Sequence, residues 1–277
     1  MTVPRSAIPR PRLEVERTDL GVWCRVHAVR GLAAAHAAVT GGVLNHSVLR
    51  LLDRALPRTG VPAVKASVSP GVSLRLDGGG ALARMAVVSA GYEHAEGEVL
   101  AGATKAGGVF VDVGANIGWF SLLVAAHRPF SEVWAFEPIP DTARRLRNAI
   151  GAAGLSNVVV HQLGLGDHAA DVPFQVTRDN AFTHRAESGV PLPVRTLDSL
   201  WERAGRPRVD CVKVDVEGDE PAVLRGASGL LAEWRPLLLV ETPTEASRAA
   251  VLATVREHGY QERVCPGLLP YNTVLTV

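Results

Sequence analysis

Apolar positions along the chain change period several times, and each change marks an element. The run VFVDV, Val109 to Val113, is apolar but for one acid, the pattern of a parallel strand buried on both faces. Small residues follow it, then the amphipathic WFSLLVAAHR, so the order is strand, tight turn, helix. The rhythm then repeats, predicting strands near 109–113, 133–137, 158–162, 209–215, 236–241, 260–264 and 273–277. Helices are predicted near 119–127, 141–153, 196–204, 219–232 and 244–258. Such alternation specifies a doubly wound, mostly parallel α/β sheet.

Upstream the pattern differs. Residues 1 to about 20 have no period and three prolines, which predicts a loosely docked arm. Val29 to Leu56 reads as two helices broken at Gly41 and Gly42, whose apolar faces cover either the sheet or a second copy in a homodimer. Short strand-like runs at 64–68, 72–76 and 82–88, parted by Pro70-Gly71 and three glycines, predict a β-meander. The expected organisation is an N-terminal extension over 1–90 and the main domain over 91–277.

Composition narrows the partners. With 29 basic and 28 acidic residues in 277, nothing in the charge asks for nucleic acid or an anionic membrane. Three scattered cysteines show no metal-finger or redox spacing and suit a reducing compartment. The N-terminus lacks the apolar core of a signal peptide, and Gly31–Leu44 is too short to span a bilayer, so the expected location is cytoplasmic.

The turn after 109–113 carries the chemistry. Gly114 and Gly118 let the backbone fold sharply at the strand's carboxyl end, bringing N–H groups and the positive end of a helix toward a ligand. Asp112-x-Gly114-Ala115-Asn116-x-Gly118 departs from G-x-G-x-x-G, because an acid precedes the first glycine and Asn116 holds the middle position. Asp112 would repel a pyrophosphate but suits the ammonium of S-adenosylmethionine. Glu137 ends the next strand, where an acid accepts both hydroxyls of a ribose, and Pro138, Pro140 and Asp141 stop that strand and start a helix.

DVGANIGWFSLL, the FEP step, TLDSL, KVDVEGDEPAVLRGA and LLLVET, in that order, resemble the FkbM family of S-adenosyl-L-methionine-dependent methyltransferases over roughly Gly91 to Thr242. The resemblance implies a Rossmann-like class I methyltransferase fold of seven strands, ordered 3-2-1-4-5-7-6 with the last strand antiparallel. GYEHAEGEV also resembles the opening segment of such enzymes. Tyr92, Glu93, His94 and Glu98 thus either lean over the cofactor or belong to a solvated helix start.

Ligands of open α/β sheets bind outside the carboxyl ends of the strands. Asp112 to Gly118, Glu137 with Pro138, the Leu163-Gly164 turn and Asp215 all fall there, predicted to take the amino-acid part, ribose and adenine of the donor. Asp167 is a second candidate for adenine, or simply a turn cap before His168. Lys213 in an interior strand needs a partner such as Asp215 or Glu241. A hydroxyl acceptor needs a general base, for which the candidates are Asp215, Glu217, Glu241 and His184, the last in the aperiodic stretch Thr177–Pro193 read as a lid. The acids show no metal signature, so no metal is expected. The expected activity is O-methylation of a small hydroxylated natural product or sugar. Its rivals are a nicotinamide-dependent oxidoreductase and a catalytically silent protein that keeps the donor pocket.

Overall fold

In the computed structural model the described residues are 3–10, 12–15, 27–29, 32, 63–76, 93–175, 184–185 and 188–277. The chain divides into two compact units: Met1–Ala7 with Gly97–Cys265 and Tyr271–Val277, and Ile8–Glu96 with Pro266–Pro270.

The second unit holds an antiparallel sheet of β1 (Arg12–Val15), β2 (Val64–Ser69) and β3 (Val72–Leu76), in that order. Its middle and last strands match the predicted meander, whereas β1 lies in the stretch expected to be a loose arm. Prolines precede RLEV without entering it, and four residues are too few for a period to show. The predicted helices over Val29–Leu56, with their dimer face, and the strand at 82–88 lie outside the described residues, save Val29 and Leu32. So does the expected boundary at residue 90.

α1 (His94–Ala103) leads to the main sheet, built from β4 (Val109–Val113), β5 (Glu132–Phe136), β6 (Val158–His161), β11 (Val209–Val214), β12 (Leu237–Glu241), β13 (Gln261–Arg263) and β14 (Asn272–Thr276). Their spatial order is β6-β5-β4-β11-β12-β14-β13, with only β14 antiparallel to its neighbours, which is the order and direction the resemblance implied. Every residue of β4 is buried, as a strand covered on both faces requires. On one face Val111, Val113, Trp134, Phe136, Val212 and Leu238 join Trp201 and Leu230 in the main core. Helices α2 (Trp119–His127), α3 (Pro140–Ala152), α4 (Leu197–Arg203) and α7 (Glu245–Val255) fall within a residue or so of prediction, apart from a 3-10 turn ending α7.

The helix predicted over 219–232 is instead two, α5 (Glu220–Arg225) and α6 (Ser228–Trp234). The break has two causes. A Cβ at Gly226 would run into the carbonyl of Gly166, so the backbone passes there only as glycine. Asp198 of α4 then takes the first amides of α6, Gly229 N at 2.8 Å and Leu230 N at 2.9 Å, supplying a cap from another helix.

A second sheet was not predicted. β7 (Gly164–Leu165), β8 (Ala170–Gln175), β9 (His184–Arg185) and β10 (Val190–Arg195) pair in the order β7-β10-β8-β9 between the third and fourth strands of the main sheet. The lid reading of Thr177–Pro193 is corrected to this extent: 184–185 and 190–193 are ladder strands, while 176–183 and 186–187 lie outside the described residues. Prolines hid the strands, yet the register sets Pro173 opposite Pro191, so residues lacking an N–H share one rung. Phe174, Leu192 and Val194 of this sheet bury themselves against Ile139 at the entrance to α3.

Candidate functional site

Three residues in the turn after β4 have positive φ: Gly114 at 76°, Asn116 at 50° and Gly118 at 93°. Gly114 is obligatory on two counts, since a side chain there would meet the Asp215 carbonyl at the end of β11 as well as strain the backbone. Four amides of this turn are spent within the protein rather than left to face a ligand. Gly114 N and Ala115 N both donate to Phe136 O, at 3.1 and 3.0 Å, and Gly118 N donates to Ala115 O at 2.8 Å. Asn116 N donates to Glu137 Oε2 at 3.0 Å. The cause is the β4–β5 register, which sets Val113 beside Phe136 and so brings acceptors from the next strand's end under the turn.

Glu137 is therefore locked. Its second oxygen, Oε1, accepts from Ile139 N at 2.9 Å, so each carboxylate oxygen holds one backbone N–H. Burial pushes its pKa up to about 7, although the two amides oppose that rise. A carboxylate has about four acceptor positions, so one per oxygen remains for vicinal hydroxyls. Pro138 lies beside Gly164: a Cβ on that glycine would sit 3.9 Å from the proline's Cβ. Leu163 N bonds back to His161 O at 3.0 Å. The loops after β5 and β6 thus meet. Asp167 pairs with Arg225 at 2.9 Å and with His168 at 2.7 Å, and the Arg225 and His168 hydrogen bonds hold it below the usual range.

Asp112 is 1% exposed. Its Oδ2 accepts from Ser121 Oγ at 2.6 Å, while Oδ1 has no hydrogen-bond partner and lies 3.8 Å from Lys213 Nζ. Burial raises its pKa, opposed by Lys213 and Ser121. The Lys213 ammonium sits at the centre of the site. It donates to Asp215 Oδ2 at 3.0 Å and Gly114 O at 3.3 Å, and lies 5.5 Å from the Phe120 ring centre. The expected partnership with Asp215 is present, and Asp112 shares the same cation.

At the ends of β11 and β12 the oxygens of Asp215, Glu217 and Glu241 lie within 4.8 Å of one another. Burial and the adjoining Asp215 push Glu241 far above the carboxylate range. Burial would raise Asp215 too, but Lys213 and the Glu241 hydrogen bond outweigh it and hold it low. The two neighbouring carboxyls are thus driven apart, Asp215 downward and Glu241 upward. Glu217 is exposed, with a left-handed φ of 57°. Three oxygens so placed could take a hard divalent cation, and among the described residues no other group of acids is so arranged.

Some expected residues are not placed at the site by the described structure. His184 belongs to β9, paired with Gln175, and its side chain is outside the described structure. Tyr92 is outside it as well, while Glu98 is half-buried on the mostly buried α1 and pairs with Arg5 at 3.6 Å. Sequence reasoning missed Ser121, which reaches Asp112 from the first turn of α2, and Glu220. Glu220 is buried, and its Oε1 accepts from both Val216 N and Gly218 N, at 3.2 and 3.0 Å. The signal available was an acid three residues beyond Glu217 at a helix start, where capping side chains reach back.

The donor set fits a cationic nucleoside. Asp112 and Asp215 both face the Lys213 ammonium, and Glu217 and Glu241 lie beside Asp215, an acid-rich set that suits a sulfonium and opposes a pyrophosphate.

Residues 112–262 match the model of the methyltransferase FkbM domain. The hexuronic acid methyltransferase AglP of Haloferax volcanii is 35% identical over 127 residues, covering 44% of this chain and 51% of that protein. Methyltransferase 1 of Beauveria bassiana is 33% identical over 141 residues, 42% of this chain and 57% of that protein. The chain thus spans little more than half the length of these two relatives. The crystal structure of methyltransferase FkbM from Methylobacillus flagellatus superposes with a TM-score of 0.45 at 20% identity, covering 63% of this chain and 44% of that one.

Proposed function

The chain belongs to the FkbM methyltransferase family, whose cofactor is S-adenosyl-L-methionine, and from that premise we propose that it methylates a hydroxyl of a small natural product or sugar. The carrying observation is that Glu137, locked by two backbone amides, stands at the same end of the sheet as the acids Asp215, Glu217 and Glu241, whose oxygens lie within 4.8 Å of one another. When bound, S-adenosylmethionine supplies a methyl group already activated on sulfur.

The chain's own residues have three tasks. Glu137 takes the two ribose hydroxyls on its remaining acceptor positions, with Pro138, Leu163 and Gly164 lining the adenine side. Asp112, held by Ser121, and the Gly114 to Gly118 turn receive the amino-acid part. Asp215, kept ionised by Lys213 and lying beside Glu241, would take the acceptor's hydroxyl proton. Alignment and exclusion of water contribute most of the rate. The sugar class is supported by the relative named for hexuronic acid.

Calorimetric titration with S-adenosylhomocysteine, with NADH in parallel, tests the donor half. Micromolar binding of the first alone is expected. Incubation with methyl-labelled S-adenosylmethionine and a panel of hexoses, uronic acids and polyhydroxylated macrolides tests the acceptor half by mass gain. A folded protein that binds no S-adenosylhomocysteine would sink the proposal; binding without any label transfer would favour the silent rival.

A further inference from the structure

We infer that Glu220 is a positioning residue, whose carboxylate holds the Val216–Gly218 loop so that Glu217 projects beside Asp215 and Glu241. The purpose served rests on the methyl-transfer reading; the clamp itself does not.

β11 ends at Val214, and within a few residues the chain must turn into α5. Glu217 makes that turn at φ 57°, a left-handed conformation that strains a non-glycine residue. Glycine would adopt it freely, and Gly218 follows immediately at φ 112° in open space. A turn alone therefore needs no carboxylate at 217. What holds the strained residue lies beneath it: Glu220 is buried, and its single oxygen Oε1 accepts both Val216 N and Gly218 N, the amides on either side of Glu217. The Asp215 amide is fixed in turn by Val113 O at 3.1 Å, so the loop is tied at its start as well. The product of these ties is the placement of Glu217's oxygen within 4.8 Å of those of Asp215 and Glu241. Strain retained at one residue and held by a buried neighbour is the mark of a side chain fixed for use.

The clamp uses one oxygen, so an amide can replace it. Glu220→Gln is expected to keep amide-exchange protection at Val216 and Gly218, and turnover within about twofold of the parent. Glu220→Ala is expected to lose that protection and to lower kcat at least about tenfold, with S-adenosylhomocysteine affinity unchanged. Glu217→Gly relieves the strain while removing the carboxylate. It is expected to leave Tm unchanged or raised and to lower kcat as far as Glu220→Ala does. In the double variant the two effects should not add, either in Tm or in rate. Additive Tm losses, or exchange protection that survives Glu220→Ala, would overturn the clamp without any acceptor being known. A poorly folded Glu220→Ala does not end the test, because Glu217→Gly in the same chain should restore Tm if the strain is what Glu220 holds. Full turnover in Glu217→Gly would overturn the positioning role, whereas absent S-adenosylhomocysteine binding by the parent would defeat only the methyl-transfer reading.

Discussion

Replacing Glu137 with Gln separates the two jobs of that carboxylate. In the parent each oxygen accepts one backbone amide, from Asn116 and from Ile139. A carboxamide has one oxygen, so its NH2 must face one of those N–H groups and leave a buried donor unsatisfied, at about 1–3 kcal/mol of stability. The second loss falls on the ligand. A ribose hydroxyl loses a charged acceptor, about 1.5–3 kcal/mol, which at about 1.4 kcal/mol per decade weakens binding by roughly ten- to a hundredfold. Titration supplies an independent signature. With a pKa of about 7, the ionised fraction of Glu137 drops from about nine-tenths at pH 8 to about one-tenth at pH 6, so S-adenosylhomocysteine should bind about tenfold more weakly at the lower pH. The unliganded protein responds in the opposite sense. A carboxyl whose folded pKa is raised stabilises the fold below its unfolded value near 4.5, and that stabilisation is lost as pH rises toward 7. Calorimetry at several pH values, with thermal melts of the free protein, would check all three. An affinity within twofold of the parent in the Gln variant, or an unchanged pH slope there, would refute the reasoning.

Lys213→Met leaves Asp112 and Asp215 without their shared cation; it should cost about 3–5 kcal/mol at neutral pH. Because both acids then protonate more readily, thermal melts should show a smaller loss at pH 5 than at pH 8. Gly114→Ala drives a methyl into the Asp215 carbonyl at positive φ, so a markedly lowered Tm or insoluble expression is expected, a greater loss than the usual overpacking cost of about 1–3 kcal/mol. Tyr260→Phe is the control for fold alone. It removes the buried 2.9 Å bond to Pro236 O, which should lower stability by about 1 kcal/mol in denaturant titration while leaving S-adenosylhomocysteine affinity unchanged.

The main sheet was legible because its signal is long and repeated: buried runs alternate with amphipathic segments, and the boundaries of β4 and α2 match prediction to the residue. Position at strand ends also marked Glu137, Asp215 and Glu241, since that rule depends on topology alone. What the sequence hid depends on contacts across space. No local pattern says that Phe136 O takes two turn amides, that Asp198 caps a helix thirty-one residues away, or that Lys213 serves two carboxylates. The small sheet escaped notice for a different reason. Its strands are short and carry Pro173, Pro191 and Pro193, and their pairing follows from a register rather than from propensity.

That small sheet bears on how the enzyme could be re-engineered. An insertion between two strands of a shared scaffold invites exchange as a cassette, Gly164–Arg195 cut from one relative and spliced into another. Here the cassette has a root. Phe174, Leu192 and Val194 close over Ile139, and the Ile139 amide is one of the two that orient Glu137. A transplant carrying the strands without a matching residue at 139 would loosen Glu137 while appearing to alter only the inserted sheet. Chimeras that move the cassette together with position 139 should keep their affinity for S-adenosylhomocysteine, and those that move it alone should lose it.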